Sequence, residues 1–149
     1  MSMEAIAFCT RPLSDVAEWQ AALEAVGFDM TLDVDRIPPD STGYLPATWQ
    51  GREVGFECSV IPLSDLTETY PEIDFGGPWA CIYDFYFSTF PGCAGAWMAV
   101  AACVNRSGGI AFDPQDSSLI VAQDAIRYAQ KALVSLLREE ASLRNPPAG

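Results

Sequence analysis

The run AGAWMAVAACV, residues 94–104, contains no charged side chain. Wound as a helix it has apolar groups on every side, so it must be buried on most of its circumference. It is too short to cross a bilayer, which needs about 20 such residues. Ala94, Gly95, Ala96, Ala99, Ala101 and Ala102 are small enough to let a helix lie close against a sheet. The rest of the chain therefore has to supply that sheet and further cover.

With 149 residues, the chain has the length of one domain, and 1–149 is read as a single globular unit. Half of the residues are hydrophobic, which is the composition of a folded protein. Twenty acids face eight bases, for a formal net charge of −12. Such a chain repels nucleic acid and anionic lipid, and it attracts cationic surfaces or simply stays in solution. The five cysteines, Cys9, Cys58, Cys81, Cys93 and Cys103, include no C-x-x-C pair and sit among apolar residues. They read as buried thiols in a reducing compartment. The opening MSMEAIAFCTRPLSD lacks the basic and apolar blocks of a secretory leader, so the expected location is cytoplasmic.

Periodicity places the elements. Residues 4–10 (EAIAFCT) read as a strand. Ser14 is placed to cap a helix carrying Val16, Trp19, Leu23 and Val26 on one face, with Gly27 at its end. Residues 28–34 (FDMTLDV) alternate as a strand does, and 36–43 (RIPPDSTG) form a loop. Residues 44–49 and 53–61 read as a hairpin joined at Gln50-Gly51. Residues 64–78 form an acidic loop with at most one helical turn, and 79–90 (WACIYDFYFSTF) form the strongest strand, covered on both faces. Pro91 and Gly92 break that strand ahead of the apolar helix at 94–105. Residues 110–112 form a short strand. Ser117 or Ser118 caps a last helix striped by Ala122, Ala125, Ile126, Ala129, Leu133, Leu136 and Leu137, which Asn145-Pro146-Pro147 stops. These elements predict an α+β domain: a mostly antiparallel sheet of about five to six strands, covered on one face by three helices including a long C-terminal one.

Catalytic chemistry is thinly represented. The absence of histidine removes the usual hydrolase dyads and most zinc sites. In NRSGGIAFDPQDS, residues 105–117, Gly108-Gly109 suits a tight helix-to-strand reversal and lacks the pattern of a phosphate loop. The acidic pairs Asp33/Asp35, Glu53/Glu57 and Glu72/Asp74 have the chemistry for acid–base work or a hard cation. They fall where solvated charge is expected anyway, and no calcium-loop spacing accompanies them. Cys93, near a helix start, is a packed thiol unless a depressed pKa activates it. Ser59, Ser64 and Ser88 stand in no nucleophile elbow. No catalytic residue, metal ligand or cofactor is assigned.

Charge is unevenly spread. No base lies between Arg11 and Arg36, nor between Arg52 and Arg106, whereas Arg127, Lys131, Arg138 and Arg144 share the last helix. Two acidic loops carry aromatic neighbours. The partner-binding face is accordingly assigned to Asp33, Asp35, Asp40, Asp65, Glu68, Tyr70, Glu72, Asp74 and Trp79. The runs GYLPATWQGREVGFE, residues 43–57, and AVAACVNRSGGIAFDPQ, residues 99–115, resemble small bacterial immunity proteins, the cytosolic antidotes to polymorphic or type VI secreted toxins. The resemblance implies a stoichiometric inhibitor, monomeric or homodimeric, that masks a cognate toxin with a basic surface. Two alternatives stand beside it. One is a small enzyme using carboxylates. The other is a nucleic-acid mimic, disfavoured because arginines stud the last helix.

Overall fold

The computed structural model describes residues 3–144. In chain order the elements are β1 (Met3–Cys9), α1 (Val16–Ala25), β2 (Thr31–Leu32), β3 (Gly43–Leu45), β4 (Ala47–Trp49), β5 (Arg52–Glu53) and β6 (Phe56–Val60). Then follow α2 (Leu63–Thr69), β7 (Cys81–Phe87), α3 (Phe90–Ser107), β8 (Ile110–Asp113), β9 (Ser118–Val121) and α4 (Ala122–Arg144). A six-stranded antiparallel sheet runs in the order β3-β6-β7-β1-β8-β9, and β2-β4-β5 form a small second sheet. The fold is the α+β domain expected. The C-terminal stop at Asn145-Pro146-Pro147 lies outside the described residues.

The sheet separates two hydrophobic clusters. On one face α3 is buried along almost its whole length, among Tyr83, Phe85 and Ala111 of the sheet and Ala125, Ala129 and Leu136 of α4. Helix α1 adds Trp19 and Leu23, and the Trp19 indole N–H donates to the Ala99 carbonyl (3.1 Å). Gly95 permits this closeness: a Cβ there would stand 1.8 Å from the Val54 carbonyl oxygen. The other face holds a smaller cluster of Ile6, Phe8, Ile82 and Phe112, covered by Leu66 and Phe75.

Several boundaries differ from those read off the chain, each for a local reason. Asp15, not Ser14, caps α1; its carboxylate accepts from Glu18 N–H (2.8 Å), and Glu18 Oε1 accepts from Ser14 N–H (2.8 Å). Of 28–34 only Thr31–Leu32 pairs. The expected hairpin is divided at Pro46, which has no N–H to donate. Before it β3 pairs with β6; after it β4 turns into the small sheet with β5. Residues 63–69 form a fourth helix. Pro91 opens α3 and does not merely end a strand, because the first helical turn has no use for its missing N–H. Thr89 caps that turn by accepting from Gly92 N–H (3.0 Å). Finally, Ser118 begins strand β9 and caps no helix. The Leu119-Ile120-Val121 run pairs back onto β8 and buries Ile120 in the main core, so α4 starts at Ala122.

Candidate functional site

Residues 61–80 form a strap across the second face of the large sheet. Its ends are tied down by Ile61 N–H to the Ile82 carbonyl (3.0 Å) and Ala80 N–H to the Cys9 carbonyl (3.0 Å). Its large apolar side chains turn inward: Leu66 and Phe75 are buried, and Leu63, Tyr70, Ile73 and Trp79 half-buried. Phe75 meets Phe8 and Phe112 at 5.1 Å between ring centroids, and Tyr70 stands edge-on to Phe112 at 5.1 Å. The Trp79 indole N–H donates to the Phe75 carbonyl (2.9 Å). With that side committed, Asp65, Glu68, Glu72 and Asp74 all project into solvent. Asp74 also accepts from Gly76 N–H (2.9 Å), which steadies the turn.

The structure thus gathers Asp65, Glu68, Tyr70, Glu72, Asp74 and Trp79 into one unit, with Tyr70 and Trp79 as anchors of the strap. Asp33, Asp35 and Asp40 belong to a different loop. It hangs from Leu32, Val34 and Ile37, which pack into the main core. Asp33 and Asp35 share a shallow depression with Arg36 and Ser41, so a base already stands among them. Asp33 Oδ2 accepts from Thr48 Oγ1 (2.5 Å).

Beside the strap lies a group of residues that periodicity does not single out. Glu4 pairs across to Tyr86, and Tyr86 to Glu57; Ile6 pairs to Asp84, and Asp84 to Ser59. Directly paired residues share a face of a sheet. Glu4, Tyr86, Asp84, Ser59 and Glu57 therefore all project on the strap side. Asp84 is only 3% exposed and its Oδ1 has no hydrogen-bond partner among the described residues. Burial, and then the Glu4 carboxyl beside it, push its pKa up to about 8. The Tyr86 phenol lies against both carboxyls and is raised too, chiefly by burial. Tyr70 is raised in the same way, with Glu4 and Asp84 adding to the effect of burial. The one signal in the chain was Asp84 itself, a lone charge inside the otherwise uncharged CIYDFYF strand.

The remaining candidates are quiet. Burial lifts the Cys93 thiol to about 11, which removes it as a nucleophile at neutral pH. Cys9 and Cys103 lie with their sulfurs 2.9 Å apart, one thiol donating to the other. Among the described residues no three His, Cys, Asp or Glu side chains are grouped closely enough to hold a metal ion, and no helix is long and apolar enough to cross a membrane. Compared with protein-family models, with curated proteins and with solved structures, the chain matches none.

Proposed function

We propose that this protein binds and neutralises a cognate bacterial toxin through the acidic outer surface of the strap, as an immunity protein does. The observation that supports the reading is the division of the strap's side chains. Its apolar groups are spent on anchoring, and Asp65, Glu68, Glu72 and Asp74 are all left outside. A surface held rigid in this way loses little entropy on binding, and its charge steers a basic partner toward it. The partner is a protein with a basic face; nucleic acid and membranes are repelled by the same charge.

The test is kinetic. Reversing Glu68, Glu72 and Asp74 to lysine together should slow association with the toxin encoded beside this chain, and the slowing should shrink as salt is raised. Thermal stability should change little, because all three side chains are solvated. A triple variant that binds and protects like the parent defeats the proposal. A second reading, a small carboxylate enzyme, draws on the Glu4–Asp84 pair, since a carboxyl titrating near 8 beside another is a common acid–base arrangement. It requires turnover by the isolated protein that Asp84→Asn abolishes.

A further inference from the structure

The strap-side cluster of Glu4, Asp84 and Tyr86, brought together by the register of β1 on β7, has the composition of a cation receptor. Asp84 is its buried member. Glu4 is half-buried and Tyr86 37% exposed, and the strap residues Asp65, which is exposed, and Tyr70 interact electrostatically with Asp84. The carboxylates can only accept hydrogen bonds, and the phenol rings offer electron-rich faces. Asp84 Oδ1 is buried and unpartnered, a costly state for a polar atom in a folded core. Among the described residues no base pairs with it. The ion pairs among the described residues join Arg11 and Arg106 to Glu18, Arg52 to Glu140, and Arg127 to Asp124.

We propose that this cluster receives one cationic side chain, a lysine ammonium or an arginine guanidinium, from the partner protein. The inference rests on the binding function proposed above and gives that surface its central contact. A donor bearing positive charge supplies the hydrogen bond that Oδ1 lacks, and it neutralises Glu4 and Asp84 where water is largely excluded. The phenols of Tyr70 and Tyr86, both close enough to Asp84 to feel its charge, add electron-rich ring faces nearby. Contacts of this kind, desolvated and ringed by weaker ones, carry a disproportionate share of binding energy. Because Asp84 is raised by burial, Glu4 and Asp65, and Tyr86 alone opposes the shift, an entering cation displaces the proton. Binding should therefore release a proton and tighten as pH rises toward 8.

The probes are n-butylguanidinium and n-butylammonium, with n-butanol as the uncharged control, followed by carboxyl and aromatic NMR signals of the intact protein. Saturable shifts at Asp84, Glu4 and Tyr86 with both cations, absent with butanol, are the expected result. The Asp84 midpoint should fall by about one unit or more at saturation. Asp84→Asn should weaken cation binding about tenfold, and Glu4→Gln, at a half-exposed position, serves if the first variant folds poorly. No saturable shift, or an equal response to butanol, overturns the cation-receptor proposal. Toxin protection that survives both substitutions, with no probe bound, overturns the cation-receptor proposal and leaves the binding function standing. Cation binding by a chain that does not protect against its neighbour's toxin overturns the function and leaves the cation-receptor proposal standing.

Discussion

Gly109 lies against the backbone of Phe8: a Cβ on Gly109 would stand 1.8 Å from the Phe8 carbonyl oxygen and 2.9 Å from its carbonyl carbon. Its neighbour Gly108 has open space around it but closes α3 with a φ of 75°. The adjacent glycines therefore have different reasons to be glycine. Gly108→Ala should cost about 1 kcal/mol, from backbone strain alone. Gly109→Ala should cost about 2 kcal/mol or more, because β8 must move off β1. Urea midpoints of the two variants check the order, and equal costs would contradict the packing of β8 on β1.

Asp84 predicts an unusual pH dependence. Its folded pKa, about 8, is above the ordinary 3.8, so between those values the folded chain holds a proton that the unfolded chain has lost. Stability must then fall as pH rises through that window, and the penalty is complete above about 8. Asp84→Asn cannot titrate. Its stability relative to the parent should improve by about 1 kcal/mol or more between pH 5 and pH 8, read from urea denaturation at both values. A constant difference would show that Asp84 titrates normally.

Glu18 has the opposite sign. Arg11, with help from the Ser14 amide and Arg106, holds its pKa down at about 2, below the ordinary 4.5. The stability this contributes is present above about 4.5 and is lost as pH falls toward 2. Glu18→Gln should be less stable than the parent at pH 7 and indistinguishable from it near pH 2. Because Arg11 and Arg106 are well exposed, the gap at pH 7 should narrow in high salt.

Phe75 is the keystone of the strap, packed against Phe8, Tyr70 and Phe112. Phe75→Ala should cost about 3 kcal/mol or more and raise amide exchange across residues 63–79 ahead of the rest. A loss under about 1 kcal/mol would mean that the strap is not anchored there.

Helix α3, the strand carrying CIYDFYF and the amphipathic α4 were legible in the chain because burial imposes a period on consecutive residues. The antiparallel α+β class followed from their order, and the acidity of residues 64–78 from composition. What a linear reading missed depends on partners far away in the chain. Ser118–Val121 became a strand because β8 offered it an edge, and residues 44–49 divided between two sheets because Pro46 could not donate to one. Tyr70 and Trp79 read as surface aromatics, yet the second sheet face needed cover and drew them inward. Asp84 and Tyr86, two residues apart on β7, share a face by strand alternation, whereas Glu4 lies far away in sequence. Only the register of β1 against β7 puts them together, since pairing across strands is a tertiary choice that no local pattern encodes.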